Sequence, residues 1–391
     1  MTTMSMTAGA PPRDRLELTG LAALLGLVAA LQISIAVAQI LLAVALLAWL
    51  ASHVTRHERL EAPRFFWPLT AYAALTLVSA GFSRDPAHSF TDAKQLVLFL
   101  IVPVVYDLAR GARARTVVTV LVTIGAASAL IGLVQYAILD FDNLGRRVQG
   151  TLSHWMTYSG TLMLVICAAV ARLLYDSRDR LWAAAVLPAL VAGLVITFTR
   201  SAAVGAAAGV GVLLLSRDFR LLAVLPIVVA GIIAVAPPAL SDRVYSIIDM
   251  NDPTNRDRVA MLQSGVAMVT DYPLTGVGPD MVAQVYEHYR APGAVNATNP
   301  HLHNVPMQIA AERGLPALVA WTWFVVSAVV GLLALLRRSR HKALAAAGLG
   351  AVAAMLTAGL FEYNFGDSEF LMLFLVLLTL PFAANRDGGL P

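Results

Sequence analysis

HLHNVPMQIAAERGLPALVAWTWFVVSAVVGLLALL, residues 301–336, sets two histidines and an asparagine directly ahead of an apolar run. Glu312, Arg313 and Gly314-Leu315-Pro316 stand between them. The run is long enough to cross the hydrocarbon core of a bilayer as a helix, which takes about 20 residues. Proton-active side chains therefore sit at the mouth of a membrane helix. Which face that mouth belongs to, and what lies near it, has to come from the rest of the chain.

The same apolar pattern recurs along all 391 residues, of which 58% are hydrophobic and 13% charged, with a mean hydropathy of +0.72. A soluble domain lacks the interior to hide so much apolar surface. Spanning segments must close their backbone hydrogen bonds internally, so the runs read as helices; they lack the short alternation of barrel strands. The expected fold is an all-α, polytopic membrane bundle. Twelve spans are predicted near 17–33, 35–53, 66–82, 94–109, 116–138, 155–174, 181–198, 201–216, 219–236, 315–336, 343–361 and 368–384. The chain then divides into 1–236 with nine spans, a long loop 237–314, and 315–391 with three spans and a short tail. Residues 1–12 read as a tail without structure. Ala36-Val37-Ala38 resembles a signal cleavage site, but the preceding run is long for a signal peptide and more spans follow, so the first helix is expected to be retained.

Lys and Arg, 28 in all, set the orientation. Loops carrying Arg13, Arg56, Arg110, Arg172, Arg217, Arg337, Arg386 and their basic neighbours alternate with loops that are poorer in charge. The positive-inside rule then puts both termini in the cytoplasm and 237–314 outside the inner leaflet. The net charge of +4 is accounted for by this distribution and calls for no nucleic acid. Cys167 lies within an apolar run and reads as a packing residue, with no disulfide possible inside one chain.

Several polar residues stand out on the outer side. Arg200 sits at a tight turn between two spans, where a partly desolvated guanidinium either reaches for headgroups or holds an anion such as phosphate. Arg243, Arg256, Arg258 and Arg290 fall in the long loop, and Arg258 stands near the start of a helical stretch, 256–270. Val259, Leu262, Val266 and Met268 suggest that this stretch lies against the membrane or the bundle. Pro273, Gly276 and Gly278 then break it, and a short second helix is expected near 279–290. His301 and His303 form an HxH pair. Metal binding needs a third ligand, which the spacing does not supply; a general base fits better, since neutral imidazole takes a proton near neutral pH. Helix capping is the plainer alternative and suits Asn304 as well. Glu312 either joins the site or pairs with Arg313. Asp140-Phe141-Asp142 is a DxD string, too short to carry weight. Walker, Rossmann, serine-elbow and CxxC patterns are lacking, and few charges fall mid-span, which argues against ion-coupled transport.

Three stretches carry a resemblance: TRSAAVGAAAG at 199–209, RVAMLQSGVAMVTDYPLTGVGPD at 258–280, and HLHNVPMQIAAERGLPAL at 301–318. Together with the layout of spans, they resemble the O-antigen ligase and O-antigen polymerase superfamily of bacterial inner-membrane glycosyltransferases. The family pattern falls on Arg200, on Arg258 with Pro273, Gly276 and Gly278, and on His303-Asn304 with Gly314. Leu262 stands where a tryptophan is often found, and Ala317 where a small or polar residue is. The resemblance implies a GT-C-like fold and a periplasmic site, with donor glycan on undecaprenyl diphosphate and, in ligases, a lipid A-core hydroxyl as acceptor. It implies metal-independent inversion without a cofactor. His303, Arg200 and Arg258 would be catalytic; Arg290, His301, Asn304 and Glu312 would contact substrate. A polymerase, then a protein O-oligosaccharyltransferase, are the alternatives within the class. A lipid or polysaccharide transporter is the alternative outside it.

Overall fold

The computed structural model describes residues 12–57, 59–143, 145–235, 249 and 251–386. Helix α1 (Pro12–Ala30) and α2 (Ile35–Arg56) form a hairpin split at 31–34, and α3 (Phe66–Gly81) follows. Helix α4 (Pro86–Asp92), a 3-10 segment (Ala93–Leu100) and α5 (Ile101–Leu108) run on as one segment, then comes α6 (Ala112–Ile138). A two-residue hairpin, Asp142–Asn143 against Arg146–Arg147, is the only sheet among the described residues. Helices α7 (Trp155–Tyr175), α8 (Arg180–Val195), α9 (Arg200–Arg217) and α10 (Val224–Val235) complete the first part. The loop region holds α11 (Pro253–Asp271) and α12 (Val282–Tyr289); α13 (Val305–Arg338), α14 (Lys342–Ala358) and α15 (Ser368–Ala384) close the chain.

Five helical segments are long and apolar enough to cross a membrane: Ile35–Arg56, Pro86–Leu108, Ala112–Ile138, Trp155–Tyr175 and Val305–Arg338. Five shorter apolar helices are Phe66–Gly81, Arg180–Val195, Phe219–Ala234, Lys342–Ala358 and Ser368–Ala384. The two remaining predicted spans fall on α1 and α9. The outer surface is apolar: Val319, Trp323, Val326 and Val330, at helical spacing along α13, are each more than half exposed. In water that stripe would be a liability; against lipid it is the expected surface.

At the centre, α7 and α15 are buried almost throughout, and α14 packs on both α7 and α9. The α9–α14 contact is a seam of small residues. A Cβ on Gly205 would come within 2.9 Å of the Ala354 carbonyl oxygen, and one on Gly209 within 2.7 Å of the Gly350 oxygen. Small residues let two backbones approach where lipid gives no hydrophobic drive for helices to pair.

Ion pairs between described residues join groups that the charge pattern assigns to the same face. At the arginine-rich end, Glu17 meets Arg56 and Arg113, Asp107 meets Arg110 and Arg386, and Asp179 meets Arg115 and Arg172. At the other end, Arg200 meets Asp252, His303 meets Glu362, and Arg313 meets Glu312 and Asp92. The bundle therefore has two polar ends with an apolar belt between them.

Helix α13 is broken at Gly314, where φ is 79° and ψ is 169°. Pro316 has no N–H to return to the Glu312 carbonyl, and the Leu315 N–H turns away to the Pro273 oxygen at 2.8 Å. The freed carbonyls of Ala311 and Glu312 accept instead from Val277 and Gly278, each at 2.9 Å. The Ser79 hydroxyl donates to the Thr275 and Glu312 oxygens at 2.6 and 2.9 Å. PLTGVG is thus a backbone clamp on the break. Its glycines are required: Gly276 and Gly278 have φ of 67° and 112°, and a Cβ on Gly276 would lie 2.2 Å from the Glu312 carbonyl carbon. The helix itself begins at Val305, nine residues ahead of the break.

Gly314→Ala should be strongly destabilising, since a Cβ there meets the Leu274 oxygen at 2.2 Å in a conformation that L-residues avoid. The strain alone is on the order of 1–3 kcal/mol. Gly81→Ala, with nothing within 4 Å, should stay within about 0.5 kcal/mol of the wild type. Thermal unfolding of the detergent-purified proteins measures both.

Candidate active site

The polar end opposite the arginine-rich one is built around the start of α13. Asn304 is its N-cap, accepting from Met307 N–H at 2.9 Å and donating to the Leu360 oxygen at 3.1 Å. Val305 N–H donates to the Gly359 oxygen at 2.7 Å. The helix mouth is thereby fastened to the turn after α14. That turn carries Glu362, whose carboxylate receives His303 Nδ1 at 3.0 Å and lies 3.8 Å from His301 Nε2. The two imidazole rings stand edge to face with centroids 4.1 Å apart.

His303 holds a left-handed backbone, φ 48°, which non-glycine residues adopt at a cost when surrounding contacts enforce it. Burial, with His303 alongside, pushes the His301 imidazole down to about 4, so it is neutral at pH 7. Burial pushes the Glu362 carboxyl up, but the hydrogen bonds it accepts from His303 and the Tyr363 N–H, with the attraction of the facing imidazoles when they are protonated, outweigh it, and the group stays below the ordinary glutamate range. An ionised carboxylate only accepts, so Nδ1 of His303 carries the proton toward Glu362 and leaves Nε2 with its lone pair. Beside the pair lies a cavity of about 260 Å³, bordered by His154, Thr157, His301, Glu362, Tyr363 and Asp367.

Helix α11 positions the loop that brings in the histidines. Asp257 is buried, and its carboxylate accepts from Val295 N–H, Asn296 N–H, Asn296 Nδ2 and Asn299 Nδ2 at 2.7 to 3.3 Å. Ser264 Oγ accepts from Ala291 N–H at 3.1 Å, and Gly265 leaves room for Leu302 and Met307. The buried stripe is Asp257, Ala260, Met261, Ser264, Gly265 and Met268, while Val259 and Val266 are exposed. Of the apolar residues read from the sequence, Met268 is buried and the valines face outward. Close approach to the loop adds Asp257, Ala260, Ser264 and Gly265 to the buried face, which an apolar-spacing rule overlooks. Arg258 is half-buried, and at helical repeat it lies two turns before Gly265, on the flank that faces residues 302–307.

Arg200 opens α9 and is buried, its guanidinium 3.3 Å from Asp252. Asp252 also caps α11 through Thr254 and Asn255 N–H. Burial raises its pKa, but the charge and hydrogen bond of Arg200 more than offset this and leave it lowered. With Gly205 against Ala354 and Ala358, the α9–α14 register puts Arg200 near the level of residues 359–362, the turn that holds His303. Arg200, Arg258, His301 and His303 thus come to one end of the bundle.

Three other sequence candidates are placed differently. Arg290 is exposed at the C-terminal end of α12. Glu312 is only 2% exposed, and Arg313 donates to it at 2.5 Å, so it serves the ion pair rather than an open surface. Asn304 caps α13 and ties it to Leu360. Asp140 and Asp142 are exposed at the small hairpin, and Arg243 lies outside the described residues. Glu362, Asp252 and Asp257 escaped the sequence reading. The acidic stretch FEYNFGDSE at 361–369, between two apolar runs on the histidine side, was the signal for Glu362.

Residues 183–322 match the family model described as O-antigen ligase. The matched stretch runs from α8 past the break in α13 and includes Arg200, Arg258 and His303. Over that stretch, about a third of its length, this helical, membrane-type chain is similar to the O-antigen ligase family. No curated protein matches the chain.

Asp257→Ala should release the 291–303 loop. Losing hydrogen bonds to a charged acceptor costs about 2 kcal/mol or more, or ~30-fold faster exchange of the Val295 and Asn296 amides. Hydrogen–deuterium exchange reads this directly, with amides of α7 as the unchanged reference.

Proposed function

We propose that the protein is an inner-membrane glycosyltransferase. It transfers O-antigen polysaccharide from undecaprenyl diphosphate to a lipid A-core hydroxyl at the periplasmic face, with twelve helices crossing the membrane and both termini in the cytoplasm. The observation that carries this reading is the His303–Glu362 hydrogen bond at 3.0 Å, on the same end of the bundle as Arg200 and Arg258.

In the proposed step, His303 Nε2 takes the proton from the acceptor hydroxyl. The freed oxygen attacks the anomeric carbon from the face opposite the diphosphate. As that bond forms, the bond from the anomeric carbon to the diphosphate oxygen breaks, and the diphosphate leaves with the electron pair. The configuration inverts. Glu362 holds the imidazole in the required tautomer and stabilises its charge once protonated, the role a carboxylate plays behind a catalytic histidine. Arg200 and Arg258 neutralise the charge growing on the diphosphate, His301 contacts substrate beside the base, and Arg290, exposed in the outer loop, is a further contact for it. A diphosphate is a good leaving group, so this step needs no resident metal. Donor and acceptor are both lipid-anchored and both arrive in the membrane plane, which suits a site at the end of an apolar belt.

The test is transfer from a lipid-linked glycan donor to lipid A-core by the reconstituted protein, read as product on a gel. His303→Ala should lower the rate by about 10²–10⁴, the usual worth of a general base. Glu362→Gln should lower it as well, and Glu362→Asp should recover part of the loss. A His303→Ala variant with full rate overturns the mechanism. Elongation of lipid-linked glycan with no product on lipid A-core would make the protein a polymerase.

A further inference from the structure

The HxH pair lacks a third metal ligand in sequence, and the fold supplies one. Glu362 comes from a turn 59 residues beyond His303 and meets both histidines. We propose that His301, His303 and Glu362 form a binding site for a single Zn²⁺, and that zinc there switches the enzyme off.

The geometry carries the first half. One ligand atom from each of the three residues lies within 4.8 Å of the other two, and all three side chains are partly buried. Tetrahedral zinc with bonds near 2.0–2.2 Å needs ligand atoms about 3.3 Å apart. His303 Nδ1 lies 3.0 Å from one Glu362 oxygen and His301 Nε2 lies 3.8 Å from the other. A turn of the carboxylate that offers one oxygen to both, with the nitrogens drawing in by roughly 1.5 Å at most, closes the set by small side-chain rotations. Two imidazoles and one carboxylate are a borderline-soft set that suits zinc over magnesium or calcium. The cavity bordered by His301 and Glu362 has room for a water as fourth ligand. His301 Nδ1 is buried and has no hydrogen-bond partner among the described residues. Once Nε2 binds a metal, Nδ1 carries the ring proton.

The second half is tautomer chemistry, and it rests on the glycosyl-transfer reading above. Facing Glu362, His303 donates from Nδ1 and offers the lone pair of Nε2 to the acceptor hydroxyl. With zinc on Nδ1, the single proton of the neutral ring sits on Nε2. The nitrogen that served as base then has no lone pair to give. Zinc also takes up a Glu362 oxygen, so the carboxylate no longer orients the ring. One ion therefore removes the base and its positioning partner together, with no bond made or broken beyond coordination.

The experiment uses the full-length chain, purified in detergent without a histidine tag. Zinc is titrated against a chromophoric chelator, and zinc-dependent change in Tm is followed alongside. Wild type should bind one equivalent. His301→Ala and Glu362→Gln should each weaken binding by more than the ~10–100-fold that losing a group hydrogen-bonded to a ligand costs. His88→Ala, which alters a different His–Asp pair, should not. Co²⁺ in place of zinc should give the absorption of a tetrahedral nitrogen–oxygen site in wild type and His88→Ala but not in His301→Ala or Glu362→Gln. Equal zinc affinity in wild type, His301→Ala and Glu362→Gln overturns the site. Transfer activity is then measured with zinc: inhibition should track occupancy and be reversed by chelator. Zinc bound with these ligand requirements but without inhibition overturns the switch and the base role of His303 while the site stands. If no transfer is seen with any acceptor, the glycosyl-transfer reading falls, and the binding titration still decides the site.

Discussion

The structure depends on a break in a helix that lies at the edge of the membrane belt. Gly314 and Pro316 leave two carbonyls of α13 without helical partners, and an apolar surrounding makes unsatisfied carbonyls costly. Residues 273–278 supply the missing donors from their own backbone. That exchange fixes the angle at which the first turns of α13 leave the membrane helix, and so fixes where the histidines ahead of it come to rest. The glycines of this clamp are there because two backbones meet.

From the clamp outward, each segment near the site is held by polar groups that would be out of place in the lipid belt. Asp257 gathers four donors of the 291–303 loop, Asn304 ties the helix mouth to the turn after α14, and Asp252 joins the cap of α11 to Arg200. Ser79 reaches the clamp from α3. Buried polar networks of this kind are costly if half satisfied and rigid when complete. The rigidity is what a site needs if it must hold an imidazole and two guanidiniums around a substrate that the membrane delivers loosely.

The pairing of His303 with Glu362 gives the histidine a defined tautomer, and the same closeness makes the pair open to a competing cation. A hydrogen-bonded acid–base pair and a metal site draw on the same atoms; what separates them is whether a proton or an ion stands between. His301 tips the balance by adding a second nitrogen within reach. The proposed catalytic geometry and the proposed inhibition are thus two uses of one arrangement.

The sequence by itself determined the helical membrane class, because apolar runs of spanning length admit few other structures. It also determined the two-ended charge pattern, since arginines in alternate loops are visible without coordinates. It marked Arg200, Arg258 and His303 as polar residues standing beside apolar helices. Tertiary structure alone decided what those residues meet. Glu362 is 59 positions from His303, and Asp252 is 52 from Arg200; no local periodicity links groups so far apart. Tertiary structure likewise turned Glu312 inward to Arg313 and put Asp257, Ser264 and Gly265 beside the methionines on the buried face of α11. Local pattern reports which face of a helix is apolar, whereas close packing and charge pairing depend on neighbours that only the folded chain brings near.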